Sequence, residues 1–159
     1  MTRLKGYSRV SNLALVPAFL ARAFSGFFVN EKVLTQMSNS SSRAILKMHQ
    51  ARIPIVMGTD SGCWPVFPQL FHGATSPREI ELLAETGMGA LEAIRAATIN
   101  AANMLNIETE YGSLEVGKRA DIVIFDGDPL KDITEVYRPF LVIKSGEVRT
   151  PDEWFDGRK

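Results

Sequence analysis

Apolar and polar residues change rhythm several times along this chain, and each rhythm predicts a different element. In residues 43–51, RAILKMHQA, the apolar Ile45, Leu46, Met48 and Ala51 are interleaved with Arg43, Lys47 and Gln50 at helical spacing, which predicts the end of an amphipathic helix. The polar run SNSSS at 38–42 reads as a short connection before it, with Ser42 or a neighbouring serine available to cap the first turn. RIPIVMGTD (52–60) abandons the helical period for an apolar run, the pattern of a strand covered on both faces in a parallel sheet. That run stops abruptly on Asp60, flanked by Thr59, Ser61 and Gly62.

Beyond a loop rich in aromatics and prolines, Ser76-Pro77-Arg78-Glu79 spells a helix start, with serine at the cap, proline at the first helical position and glutamate at the third. The helix is predicted to run to about Thr86 and to end at Gly87, because glycine takes the left-handed conformation without penalty. A second helix follows, in which Leu91, Ile94, Thr98, Ala101 and Leu105 recur at spacings of three and four. Its alanines at 93, 96, 97, 101 and 102 favour helix and permit close packing. From Gly112 the texture is β. GSLEVG (112–117) predicts a short strand before a Gly117-Lys118 turn, Ile122 to Phe125 a strongly apolar strand, and FLVIKSGEV (140–148) a hairpin about Ser145-Gly146. The fold class is therefore α/β passing into β, with a junction near 106–112.

The chain has 159 residues and is 45% hydrophobic, which suits one globular domain with a core. Lys plus Arg and Asp plus Glu stand at 18 each, so no long-range field recruits nucleic acid or an acidic membrane surface, and a small-molecule or protein partner is expected. A single cysteine, Cys63, excludes an internal disulfide and fits a reducing, cytoplasmic setting. NLALVPAFLARAFSGFFV (12–29), preceded by Arg3, Lys5 and Arg9, has some features of a targeting segment. Arg22 within it would cost about 2.5–3.5 kcal/mol in a bilayer, and Pro17 and Gly26 interrupt it, so a buried strand followed by a helix is the expectation there.

Few residues can carry chemistry. Asp60, at the end of the apolar run, is either a turn carboxylate bonding the amides of Ser61 and Gly62 or a carboxylate delivered to an active site. His49 belongs to a helix end, and His72 lies in the loop after Asp60, where a substrate contact and a structural role are both open. Cys63, His72 and Asp60 could form a nucleophile, base and orienting carboxylate only if they met in space, which their spacing does not secure. Trp64, Phe67 and Phe71 suit loop packing or a pocket wall, and no basic patch accompanies them. The glycine-rich turns lack the phosphate-loop pattern.

Taken in order, IPIVMGTDSG, FHGATSPREIELLAETGMGALEAIRAATINAANMLNI, YGSLEVGKRADIVIFDGDPLKDI and VIKSGEV resemble the C-terminal part of the metal-dependent amidohydrolase superfamily, in its imidazolonepropionase-like and Xaa-Pro dipeptidase-like branch. The resemblance covers residues 45–148 well and 12–44 more loosely. It implies an incomplete (β/α)₈ TIM-barrel fragment, the last strand-helix units over 1–108, followed at 109–159 by strands of a small β-sandwich and the C-terminal tail. Barrel active sites lie at the C-terminal ends of strands, where Asp60 would stand. The resemblance implies that Asp60 is both the last metal-site carboxylate and a catalytic proton acceptor, that His72 contacts substrate, and that the complete enzyme uses a divalent cation, zinc first among them. Its reaction would be hydrolysis of a C–N bond in an amide, cyclic amide or dipeptide-like substrate.

The same resemblance calls for a His-x-His pair, further histidines and often a carboxylated lysine, whereas this sequence holds only His49 and His72. A complete barrel takes at least about 200 residues. The expectation is a C-terminal portion, inactive alone, that self-associates or joins an N-terminal half. The alternative is a non-catalytic module of the same descent that serves assembly or interaction.

Overall fold

A computed structural model describes residues 31–61, 73 and 75–156. The elements are α1 (Glu31–Gln50), α2 (Thr75–Leu83), a π-helical turn (Ala84–Met88), α3 (Ala90–Ala97), α4 (Ile99–Leu105), β1 (Ile122–Phe125), a 3₁₀ turn (Ile133–Tyr137), β2 (Pro139–Lys144), β3 (Glu147–Arg149) and α5 (Pro151–Asp156).

Helix α1 corrects the first expectation. The serine run at 38–42 lies inside it and Ser42 caps nothing, because the helix begins before residue 38. Serine is a weak rather than a prohibitive helix residue, at about 0.5 kcal/mol against alanine, and stopping the helix would orphan its terminal amides and carbonyls. The predicted C-terminal half is present. Arg52 takes φ +59, its N–H donates to the His49 carbonyl at 2.9 Å, and the Ile53 N–H donates to the Met48 carbonyl at 3.0 Å. These two bonds are the Schellman closure, made here without glycine.

The core lies between α1, α2 and α3. Leu83, Met88, Ala93 and Ala96 are buried, and Ile45, Ile55, Met57, Ile80 and Ala84 pack against them. Ile55 and Met57 thus face inward as expected, but the predicted strand over 52–60 is not formed. A strand needs a neighbour, and among the described residues none runs beside this segment. Helix α2 starts at Thr75, one residue before the predicted cap, and Gly87 (φ +99) ends the run where expected.

The second predicted helix is two. Thr98 (φ −128, ψ −96) separates α3 from α4. The buried side is also different from the predicted stripe: Ala93 and Ala96 are fully enclosed, whereas Leu91 and Leu105 are exposed. Small side chains let α3 sit closely on α2, so the alanine face wins the contact.

The β region follows its prediction in part. β1, β2 and β3 form an antiparallel sheet in that order, pairing Ile122 with Ile143, Val123 with Val142 and Ile143 with Val148. Ser145 (φ +52) and Gly146 (φ +85) make the two-residue hairpin turn, a conformation that glycine at its second position favours. The expected strand in 112–117 is absent; residues 112–113 form a bend and 116–117 a turn. Gly112 shows why the junction is tight. A Cβ there would come 2.8 Å from Ala102 Cβ and 2.9 Å from Ile99 Cα, so only glycine lets the chain cross α4.

Candidate functional site

Asp60 lies at the end of the segment that leaves the core at Met57. Its backbone is left-handed, with φ +51, a conformation that aspartate adopts more readily than most residues. The turn around it is held by hydroxyls. Thr59 Oγ1 and Ser61 Oγ share a hydrogen bond at 2.7 Å, Ser61 and Thr75 hydroxyls share another, and the Ser61 N–H donates to Thr59 Oγ1 at 3.3 Å. The Ser61 amide is therefore taken by Thr59 and not by Asp60. Asp60 is exposed, and among the described residues its carboxylate makes no hydrogen bond or ion pair.

Two hydrogen bonds to residues downstream hold this segment in place. The Met57 N–H donates to the Ala96 carbonyl at 3.0 Å, and Asn100 Nδ2 donates to the Ile55 carbonyl at 2.9 Å. The sequence places Asn100 within a segment that carries the family resemblance but assigns it no role. Its signal was a polar amide, one residue beyond Ile99 and two beyond a β-branched Thr98, inside an otherwise small and apolar run.

His49 sits half-buried in the last turn of α1, where its carbonyl serves the helix closure, as a helix-end histidine would. His72 and Cys63, with Trp64, Phe67 and Phe71, lie outside the described residues, as does the 12–29 segment. No helix among the described residues is long and apolar enough to cross a membrane.

Among the described residues, no group of three or more His, Cys, Asp or Glu side chains is placed to hold a metal ion. A catalytic zinc takes three protein ligands and an open position, and among the described residues the sequence's candidate donor is Asp60 alone. The described donor set does not by itself fit a resident cation.

An apolar cleft of about 810 Å³ opens between α3–α4 and the sheet, with Met57, Ile80, Ile94, Ala101, Val123 and Val142 in its walls. The predicted stripe of Ile94, Thr98, Ala101 and Leu105 faces it. Asp60 does not line this cleft, so the cleft is separate from the candidate carboxylate.

The model of the amidohydrolase family matches residues 15–149, most of the sequence. The chain belongs to that family. Among curated amidohydrolase relatives, the 5-methylthioadenosine/S-adenosylhomocysteine deaminase of Thermoanaerobacter pseudethanolicus is 38% identical over 86 residues, 52% of this chain and 20% of the deaminase. The imidazolonepropionase of Alkaliphilus oremlandii is 35% identical over 111 residues, 64% of this chain and 24% of that enzyme. A Xaa-Pro dipeptidase crystallised with methionine in its active site superposes with a TM-score of 0.60 at 33% identity, over 69% of this chain and 25% of its own. The fold is thus that of part of an amidohydrolase, and the chain spans about a quarter of the length of these relatives. Amidohydrolases are in general metal-dependent hydrolases.

Proposed function

We propose that this chain contributes the last strand-helix units of an amidohydrolase barrel (1–108) and strands of its adjoining β-sandwich (109–159), and that the complete assembly hydrolyses a C–N bond in a small amide, cyclic amide or dipeptide-like substrate. The remaining barrel units, with most of the cation-holding side chains, come from polypeptide outside these residues. The observation that carries the reading is the state of Asp60: an exposed carboxylate at the end of an apolar segment, on a turn whose nearest amide is satisfied by Thr59 instead.

In that role Asp60 takes a proton from the attacking water and returns it to the leaving nitrogen, as a general base and then a general acid. His72 contacts the substrate. The assembly works in the cytoplasm, with no nucleic acid or membrane partner, and zinc is the proposed cation of the complete enzyme.

The test is complementation. This chain is mixed with the N-terminal three quarters of an amidohydrolase relative, and bound zinc and amide hydrolysis are measured with wild type and with Asp60→Asn. The expected result is zinc uptake and hydrolysis by the wild-type mixture and a loss of at least about 100-fold in kcat for Asp60→Asn, the scale of a general-base contribution. Hydrolysis indifferent to Asp60→Asn removes the assigned role. A stable complex that binds no zinc and hydrolyses nothing favours the non-catalytic module.

A further inference from the structure

We propose that the break between α3 and α4 is a clamp that fixes the segment presenting Asp60, with Asn100 as its positioning residue. The inference rests on the reading of Asp60 as the working carboxylate, and its first test does not depend on catalysis.

In an unbroken helix the Ala96 carbonyl would serve the Asn100 N–H four residues on. At Thr98 the backbone leaves the helical region, the Thr98 N–H falls back to the Arg95 carbonyl at 3.1 Å, and the Thr98 hydroxyl donates to the Ile94 carbonyl at 2.7 Å. The helix thus closes on itself before the break. The Ala96 carbonyl accepts the Met57 N–H at 3.0 Å, while just past the break Asn100 Nδ2 donates to the Ile55 carbonyl at 2.9 Å.

In extended backbone the C=O of one residue and the N–H of the residue two further on lie along the same edge. The break therefore presents one acceptor and one donor to that edge, where an adjacent strand would have placed them. Beyond the helix closure at Ile53, these are the hydrogen bonds that tie the backbone of residues 54–58 among the described residues. Asp60 follows three residues after Met57, so any slack at 55–57 passes directly to the carboxylate. A misplacement of about 1 Å at a reacting group is enough to lower a rate by about 100-fold.

The experiment uses the 159-residue chain labelled with ¹³C and ¹⁵N. Asn100→Asp keeps the shape of the side chain, removes the amide donor and sets a carboxylate oxygen against the Ile55 carbonyl; Asn100→Ala removes the donor without adding charge. Each is expected to move the Ile55 carbonyl ¹³C resonance and to speed exchange of the Met57 amide by at least about tenfold, while amides of Leu83, Met88 and Ala93 exchange as in wild type. An unmoved Ile55 resonance and unchanged Met57 exchange in either folded variant overturn the clamp, whatever Asp60 does. In the complemented hydrolase, Asn100→Asp is expected to lower kcat with KM held. A loosened segment with kcat unchanged overturns the claim that Asn100 positions Asp60. A loosened segment together with full activity of Asp60→Asn leaves the clamp standing and removes the carboxylate's role.

Discussion

Among the described residues, four non-glycine residues stand in the left-handed region: Arg52, Asp60, Asn106 and Ser145. Three of them have a local reason. Asn106 ends α4, its N–H donating to the carbonyls of Ala102 and Asn103, and Ser145 belongs to the hairpin turn. Arg52 closes α1, but a long side chain gains nothing from that conformation, and glycine is the residue that adopts it without strain. Arg52→Gly is therefore expected to raise stability by about 0.5–1 kcal/mol, read as a higher midpoint in thermal unfolding. Asp60, the fourth, stands on the turn held by the hydroxyls of Thr59, Ser61 and Thr75. Its neighbours satisfy the turn and its carboxylate faces solvent, which is why the functional reading centres on it.

At the scale of elements, one contact joins the helical part to the region before β2. Glu81 on α2 is buried, and Arg78 Nη1 and the Tyr137 hydroxyl each donate to its Oε2 at 2.6 Å. Burial first, and then the hydrogen bond to Glu81, push the Tyr137 hydroxyl up to about 12. Its folded value stands above the unfolded value of about 10, so the contribution of the contact is complete below pH 10 and is lost as the pH rises through 12. A phenolate absorbance titration should show one tyrosine ionising near 12 and losing that step in Tyr137→Phe. The same substitution should lower stability by about 1.5–3 kcal/mol at neutral pH, because a bond to a buried carboxylate is removed.

What the sequence made legible at this scale was local. The Ser145-Gly146 turn, the apolar Ile122–Phe125 strand and the Gly87 stop all depend on a few adjacent residues, and all are present. The misreadings were of the opposite kind. Whether 53–57 is laddered depends on a strand elsewhere, the side of α3 that is buried depends on α2, and the break at Thr98 depends on what docks there. The polar run Ser38-Asn39-Ser40-Ser41-Ser42 was misread because a helix sustained from both sides overrides a weak local preference. The pattern around Asp60 leaves a turn carboxylate and a site carboxylate both open, and it is the family resemblance that favours the second.

For the whole molecule, the distribution of apolar surface sets the expected behaviour. Leu114 and Val116 are almost wholly exposed, and Met104, Leu105, Phe140, Val148 and Ile53 are each more than half exposed. An apolar cleft beside β1 and β2 adds to these exposed side chains. The chain without a partner is expected to self-associate, so that light scattering gives a mass above that of one chain and rising with concentration. Addition of the complementary barrel half should suppress this by covering the same surface.

The hairpin turn between β2 and β3 is more than a bend. The Gly146 N–H donates to the Ala120 carbonyl at 3.0 Å, the Ser145 N–H donates to Asp121 Oδ1 at 2.7 Å, and Lys144 pairs with the same carboxylate. Surface turns of this size are the usual places to graft an epitope, split a gene or open a circular permutant. In this protein such an edit at Ser145-Gly146 would unfasten the sheet from the stretch that leads into β1.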